Sequence, residues 1–276
     1  MRAMSPLSLL RSIRSFGLSG AASQMGWSFL LALFPSLILL VAAFDLLPLE
    51  TRVEALTTEL LAGVSPQIAG LLGDFLEGFA RHRPPGEILL WFIPALWASS
   101  RGVRAARQGL QKIYGVPPKH RWLPMRLLDL VWALLALSLT GLGFLILIAG
   151  PQLLQFLGSV FNAESLFGQL ATWFRWPFVV AILASFSALA IRVLPGVPLP
   201  RAAWLSGSGL TLGAWLLLGL SFRYWLEHLG HFEKIYGGLA SFFILMFLLW
   251  LISWALLLGG FLAASLRLPA SEPPIS

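Results

Sequence analysis

Cysteine is absent from this chain, and charged residues make up only 11% of it. Without cysteine the protein has no disulfide, no thiolate-ligated zinc and no thiol nucleophile. The scarcity of charge has a larger consequence, because 58% of the 276 residues are hydrophobic and the remaining polar surface is too small to cover a soluble globule. Long apolar segments of this kind predict an all-α, polytopic integral membrane protein.

Acidic residues are also few, with 12 of them against 19 Lys and Arg. None lies in residues 101–126, which carry seven positive charges. Short segments rich in Lys and Arg stay on the cytoplasmic side of a membrane, so this basic loop orients the apolar segments on both sides of it.

The remaining charges fit the same orientation. The segments predicted to be cytoplasmic are residues 1–17, 101–126, 192–201 and 267–276. Together they hold 13 of the 19 basic residues and one acidic residue, whereas the opposite side holds 6 basic and 10 acidic residues. This asymmetry requires an even number of spans and predicts that both termini are cytoplasmic.

Six apolar segments are predicted to span the membrane. The first, Gly17 to Leu47, is too long for the apolar region of a signal peptide. The second begins at Ile88 and is predicted to continue as a helix to Ile113, projecting from the membrane until Pro117-Pro118 ends it. The four others run approximately from Leu127 to Gly150, Trp176 to Leu194, Ala202 to Phe222 and Leu239 to Leu266.

The segments outside this transmembrane domain, residues 18–268, are short. Residues 1–17 are predicted to form an interfacial helix at the inner membrane surface. Residues 48–87 are predicted to form two amphipathic helices in the first outer loop, because their apolar residues keep helical spacing. Residues 269–276 are predicted to be a disordered tail.

Polar residues within apolar spans are the first candidates for function, since an ionisable group costs several kcal/mol in a bilayer unless it is paired or hydrated. Asp129 lies three residues after Arg126, so an interfacial ion pair on one helical face is the favoured interpretation, and a gate or coupling carboxylate is the alternative. Arg192 is interpreted first as a snorkelling anchor and otherwise as a ligand for an anionic substrate.

The first span supplies further candidates for a substrate pathway. Gln24 and Ser28 share a helical face, and Pro35 beyond them lacks a backbone N–H and so frees one carbonyl. Interhelical hydrogen bonding is the favoured role for the two side chains, and lining a cavity beside the Pro35 kink is the alternative.

Small residues four positions apart let helix backbones approach closely. Such pairs occur on the last two spans, as Gly209 with Gly213, Ala255 with Gly259, and Gly260 with Ala264. They predict that the fifth span packs tightly against the sixth.

Metal and cofactor motifs give no comparable signal. Residue types of a zinc site occur in the last outer loop, at Glu227, His228, His231 and Glu233. Their short spacing favours an unliganded polar loop. No nucleotide-binding fingerprint and no catalytic triad is present, so the sequence predicts no metal, no cofactor and no enzymatic activity.

The end of the chain carries a more specific pattern. A Tyr-Gly pair opens the last helix, a Leu-Trp pair lies in its middle and a Leu-Gly pair precedes its end, at Tyr236-Gly237, Leu249-Trp250 and Leu258-Gly259. Three further motifs are AASQMGWSFLLALFP, which ends in Phe34-Pro35, WASSRGVRAARQGLQKIYG after the second span, and IRVLPGVPLPRAAW, which contains Pro195.

These motifs resemble the YihY/BrkB family of bacterial inner-membrane proteins, some of which have been labelled ribonuclease BN. The resemblance covers nearly the whole chain and implies six membrane helices in the bacterial inner membrane, the number reached from the apolar segments and the charges. The family pattern Gly-Ala-Glu near the end of the last helix is replaced here by Gly259-Gly260-Phe261. Proton coupling through that Glu is therefore not expected in this chain.

Two classes of function are consistent with these features. The first is a transporter or flippase-like carrier of an amphiphilic or anionic substrate, and the second is a membrane scaffold or envelope-assembly factor. The expected partners are anionic lipid headgroups at the cytoplasmic face and not nucleic acid. The sequence is compatible with a homo-oligomer as well as with a monomer. Ribonuclease activity is not expected, because the predicted cytoplasmic face has too few carboxylates and histidines to hold catalytic metal ions.

Overall fold

The described residues of the computed structural model are 17–45, 85–117, 122–160, 164–229 and 238–267, and they are helical apart from short turns. They form six long helices: α1 Leu18–Asp45, α2 Pro85–Ile113, α3 Trp122–Val160, α4 Glu164–Val193, α5 Arg201–Leu229 and α6 Gly238–Ser265. The all-α architecture predicted from composition is confirmed for this part of the chain.

Three of these helices contain a segment long and apolar enough to cross a membrane: Leu123–Gly143 in α3, Arg201–Phe222 in α5 and Phe242–Ser265 in α6. A shorter apolar segment, Pro177–Val193, lies in α4. The described helices are therefore those of a membrane protein.

Each helix packs on its neighbours in the sequence, and α6 returns to pack on α1, so that the six helices close into a ring. The most extensive contacts join α1 to α2, α5 to α6 and α6 to α1. Glycines bring α1 and α6 together, because a Cβ on Gly26 would lie 3.1 Å from the Trp250 backbone. The end of α2 packs against both, since a Cβ on Gly109 would lie 2.8 Å from Met25 Sδ and 3.1 Å from Leu257 Cδ2.

Three contacts bring basic segments of the chain to one end of the bundle. A Cβ on Gly17, just before α1, would lie 3.6 Å from Lys112 Nζ near the end of α2. The Gln111 amide donates a 3.5 Å hydrogen bond to the carbonyl of Pro195, in the turn between α4 and α5. Arg267, which follows α6, acts electrostatically on the hydroxyl of Tyr114. The described parts of the four segments predicted to be cytoplasmic thus lie together.

The second helix extends to Ile113 as its apolar spacing predicts, but glycine and not proline ends it. Gly115 has a φ of 64°, and the amides of Gly115 and Val116 donate to the carbonyls of Lys112 and Gln111 at 3.3 and 2.9 Å. This is a Schellman motif, in which a left-handed residue closes a helix. Since α3 begins at Trp122, most of the segment 101–126 is helical and not a loop.

The close contact of α5 with α6 exists but involves a different glycine from the one that the spacing predicts. A Cβ on Gly207 would lie 2.5 Å from the Gly259 carbonyl oxygen, and a Cβ on Gly259 would collide with Thr211 Oγ1. A Cβ added to Gly209 or Gly213 would have no other atom of the described residues within 4 Å. Because positions 207 and 211 already face α6, residues 209 and 213 lie on the other side of α5.

The other small residues divide between two interfaces. Ala255 is buried, and Ala264 packs against the core. Gly260 faces α2, since a Cβ there would collide with the Leu110 side chain.

Several predictions lie outside the described residues. They concern the interfacial helix at 1–16, the amphipathic helices of 48–84, the tail at 269–276, and the polar loop with His231 and Glu233. The side chains of Glu227 and His228 are also outside the described part.

Candidate functional site

A fully buried carboxylate links α2 to α3. Asp129 has 0% exposure and accepts hydrogen bonds from Arg107 Nε at 2.7 Å and Arg107 Nη2 at 2.9 Å. Arg104 Nε donates a further hydrogen bond of 3.2 Å to the same carboxylate. The two arginines are three residues apart on α2 and therefore share one helical face.

The geometry favours a strong interaction. A guanidinium that donates two parallel hydrogen bonds to a carboxylate fixes both position and orientation, and Arg107 is itself 7% exposed. Arg107 Nη1 also donates to the Gln111 side-chain oxygen at 3.2 Å. The network therefore joins the first turns of α3 to the last turns of α2 at the basic end of the bundle.

Arg126 is not the hydrogen-bonded partner of Asp129, which corrects the pairing predicted from their spacing. Its guanidinium lies over the Trp97 ring at 3.8 Å from the ring centre, and its Nη2 donates to the Trp97 carbonyl oxygen at 3.0 Å. The Asp129 carboxylate contributes only electrostatically to Arg126. Arg107 and Arg104 take the carboxylate because they approach it from the facing helix.

Positive charge exceeds negative charge in this cluster. Arg101 and Arg104 both lie within electrostatic range of the Arg126 guanidinium, and Arg101 is exposed. The described cluster thus contains four guanidinium groups and one carboxylate: Arg104 and Arg107 bind Asp129, and Arg101 lies within electrostatic range of Arg126. An arrangement of this kind attracts anions.

Arg192 lies near the same end of the bundle, in the last turn of α4. Its side chain is exposed, and its guanidinium is 5.2 Å from the centre of the Trp204 ring on α5. A cation at this distance from an indole face is attracted to it. This contact anchors Arg192 to α5, and its role in binding an anionic substrate stays a prediction.

The candidates on α1 lie apart from any buried polar cluster in the described residues. Gln24 is exposed, and the Ser28 hydroxyl donates to the Gln24 carbonyl at 2.8 Å within the same helix. Pro35 lies inside α1, which continues beyond it. The role of Gln24, Ser28 and Pro35 in a substrate pathway stays a prediction.

The residues of the family motifs that are described are packed at helix contacts. Phe34 is half-buried on α1, Trp250 lies against Gly26, and Gly259 lies against Gly207. Pro195 is buried and accepts the hydrogen bond from Gln111. Tyr236 and Gly237 are outside the described residues.

Tyr114 occupies the turn after α2 and packs against the hydrophobic core. Its hydroxyl is buried and has no hydrogen-bond partner among the described residues. Burial raises the pKa of Tyr114, and the positive charge of Arg267 acts in the opposite direction. The neutral hydroxyl is therefore the stable form throughout the physiological range.

Sequence reasoning missed three residues of this site, which are Arg104, Arg107 and Trp97. Arg101, Arg104 and Arg107 recur at intervals of three, which places them on one face of a helix. That spacing could have predicted the site, because arginines on one face of a helix require carboxylates, bound anions or water around them. The position of Trp97 over Arg126 had no local signal, since the two residues lie 29 positions apart.

Comparison with known proteins agrees with the architecture. The sequence profile of the family described as Virulence factor BrkB matches residues 9–274. A curated relative, named "Putative ribonuclease-like protein YfkH", from Bacillus subtilis (strain 168), is 24% identical over 259 residues, which cover 91% of this chain and 92% of the relative. No solved structure matches.

Proposed function

Because this chain belongs to the BrkB virulence factor family of membrane proteins, we propose that it is a carrier that moves an amphiphilic or anionic substrate across the bacterial inner membrane. The observation that carries the proposal is the fully buried Asp129, held by two arginines of the facing helix. Buried charges are expensive in a membrane protein and mark pathways and gates by default.

The proposed orientation places the basic end of the bundle in the cytoplasm, with six spans and both termini inside. Its support is the meeting of the basic segments at one end, through the contacts of Gly17 with Lys112, Gln111 with Pro195, and Arg267 with Tyr114. Positive residues that flank spans are retained in the cytoplasm.

In this proposal the ion network between α2 and α3 is a gate at the cytoplasmic end. Separating the two helices requires Arg107 and Arg104 to leave Asp129, and an incoming anion compensates the arginines that are released. The Glu of the family pattern in α6 is replaced in this chain, so Asp129 is the carboxylate proposed for coupling. Arg192, Gln24, Ser28 and Pro35 are proposed to line the route between the helices and the inner surface.

Reconstitution into liposomes tests the proposal. Purified protein is inserted into vesicles that contain a fluorescent anionic phospholipid analogue, and its movement between leaflets is followed by chemical quenching from outside. Wild type is expected to accelerate movement over empty vesicles, and Asp129→Asn is expected to change the rate at least severalfold. Arg201→Gln is the matched control, because Arg201 is an exposed arginine near the same end of the bundle and outside the network.

The outcome for the α1 candidates is read in the same assay. The double variant Gln24→Ala/Arg192→Ala is expected to slow movement. If it moves lipid as wild type does, the proposed route past Gln24 and Arg192 is wrong. If folded wild type moves neither the lipid analogue nor a soluble anion such as a sugar phosphate, the carrier proposal itself is wrong.

The alternative is a membrane scaffold or envelope-assembly factor. The backbone contacts of Gly26 with Trp250 and of Gly207 with Gly259 favour it, because they fix helices against one another and leave little room for sliding. A scaffold predicts no transport in any variant, together with retention of partner proteins when the chain is purified from its native membrane.

Ribonuclease activity is not part of the proposal, although the name of the Bacillus relative contains the words "ribonuclease-like". The carboxylate of the basic cluster is already bound by Arg107 and Arg104, so it is not available as a ligand of a catalytic metal ion. Metal-assisted phosphodiester cleavage needs such ligands in a cluster.

A further inference from the structure

Arg126 holds unused hydrogen-bond donors in a buried position. The residue is 2% exposed, and its Nε and Nη1 atoms have no hydrogen-bond partner in the described part of the chain. Its Nη2 donates to the backbone carbonyl of Trp97, and Asp129 acts on Arg126 only through space, without a hydrogen bond. A buried guanidinium in this state is costly unless an anion compensates it.

The neighbouring arginines offer more donors than the protein uses. Arg104 donates to Asp129 only through its Nε, and its side chain is 30% exposed. Arg101 is exposed and makes no ion pair with the described residues. The Arg104 terminal nitrogens and the Arg101 guanidinium therefore have no partner among the described residues and can reach a ligand that approaches from the membrane surface.

An apolar surface adjoins this excess of charge. On α2, Ile93 is 75% exposed and lies one turn from Trp97, which is 44% exposed. On α3, Leu127 and Val131 are 55% and 62% exposed and follow Arg126 toward the apolar span. A basic cluster at the edge of an apolar face matches a molecule with an anionic head and hydrocarbon chains.

We propose that the α2–α3 face binds the phosphate group of an anionic phospholipid, with Arg101, Arg104 and Arg126 as donors and the chains along Ile93 and Leu127. Arg101 and Arg104 make the first contacts, because their donors are accessible. The donors of Arg126 are covered, so the phosphate reaches them when the half-exposed Trp97 ring moves aside. Asp129 stays bound to Arg107 and sets the position of Arg104.

This binding site does not depend on transport, since a scaffold would hold the same lipid. Failure of the liposome experiment therefore leaves it intact, and loss of the site leaves transport open. The chemistry recognised is a phosphate group, and two sources offer it, a lipid headgroup and free phosphate. The proposal commits to the lipid because of the adjoining apolar face.

Native mass spectrometry of the delipidated full-length protein tests the site. The protein is titrated with dioleoyl phosphatidylglycerol, with dioleoyl phosphatidylcholine, and with dioleoylglycerol, which lacks the phosphate. Phosphatidylglycerol is expected to bind at least about tenfold more tightly than either of the others, since the loss of one charge-assisted hydrogen bond weakens binding by about that factor or more. Equal binding of dioleoylglycerol would overturn phosphate recognition, and equal binding of phosphatidylcholine would overturn the anionic selectivity.

Arginine variants locate the site. Arg126→Gln and the double variant Arg101→Gln/Arg104→Gln are each expected to lower the affinity for phosphatidylglycerol about tenfold or more. Arg101→Gln alone keeps the test valid if Arg126→Gln does not fold, because the Arg101 side chain is exposed and makes no ion pair with the described residues. A loss of a few fold is expected for this variant. Arg201→Gln, which removes one exposed charge elsewhere on the same end, is expected to bind as wild type.

Two further results would distinguish a specific lipid site from non-specific or free-phosphate binding. If the Arg101 and Arg126 variants bind as wild type, or if Arg201→Gln loses as much affinity as they do, the site is wrong and binding is non-specific electrostatics. Inorganic phosphate is added as a competitor at millimolar concentration. If it displaces the lipid completely, the site takes free phosphate and the lipid assignment is overturned; partial or no displacement supports the contribution of the chains.

Discussion

Arg107 on α2 donates two hydrogen bonds, of 2.7 and 2.9 Å, to the carboxylate of Asp129 on α3. Both residues are buried, and a third group, Arg104 Nε, completes the contact at 3.2 Å. The pair joins α3 to α2, which ends in a turn at Gly115. It is the charged interaction that holds the basic end of α2 against α3.

Replacing Asp129 by Asn is expected to lower the free energy of unfolding by about 3–5 kcal/mol, because Arg107 and Arg104 lose the carboxylate that compensates their positive charge. Denaturant or thermal unfolding in detergent measures this change. Arg201→Gln serves as the control and is expected to change stability by less than about 0.5 kcal/mol, as exposed substitutions do.

A double-mutant cycle identifies the partner of Asp129. The coupling free energy of Asp129→Asn with Arg107→Gln is expected to reach roughly 1–3 kcal/mol, as for residues in direct contact. The coupling with Arg126→Gln is expected to be smaller, since no hydrogen bond joins that pair. A larger coupling to Arg126 than to Arg107 would restore the pairing that the sequence spacing predicts.

Glycine substitutions on α5 are expected to separate the contact face from the open face. Gly207→Ala places a methyl group 2.5 Å from the Gly259 carbonyl oxygen, and overpacking of this kind costs about 1–3 kcal/mol. Gly209→Ala meets open space and is expected to be neutral or to stabilise by up to about 1 kcal/mol, through the higher helix propensity of alanine.

The two glycine variants are compared by thermal unfolding of the purified proteins. Their order of stability is the test, because both substitutions add the same methyl group to the same helix. If Gly209→Ala is the more damaging one, α5 is rotated relative to the structure described above.

Tyr114→Phe is expected to leave stability unchanged or to raise it by up to about 1 kcal/mol. The buried hydroxyl has no hydrogen-bond partner among the described residues, so its removal relieves a desolvation cost. The raised pKa of Tyr114 predicts a pH dependence as well. A raised pKa stabilises the fold fully below the ordinary tyrosine pKa of about 10, and this contribution is lost as the pH rises through the higher value of the folded state.

The wild type is therefore expected to lose stability above about pH 10, and Tyr114→Phe is expected to lose less of it. Thermal midpoints at pH 8 and pH 10.5 measure the difference. An identical alkaline loss in both proteins would show that Tyr114 ionises as it does in water.

The sequence predicts the helices of this protein well because the relevant signals are local. Apolar run length and helical spacing set the extent of α2 as far as Ile113, and positive flanking charges group the segments that meet near Lys112 and Pro195. The choice of Arg107 over Arg126 as partner of Asp129 is not local, because it depends on how α2 and α3 are rotated about their axes. The same rotation decides that Gly207, and not Gly209, meets α6.

The labelling of one cysteine in intact bacteria tests the central claim, that the basic end of the bundle faces the cytoplasm. The natural chain has no cysteine, and Lys112 is an exposed side chain at that end, so Lys112→Cys carries a single reactive thiol. Asn162→Cys, in the segment between α3 and α4 that the sequence predicts to lie outside, is the counterpart. A membrane-impermeant maleimide added outside is expected to label Asn162→Cys directly and Lys112→Cys only after the inner membrane is opened. Labelling of Lys112→Cys in cells with an intact inner membrane would contradict the account.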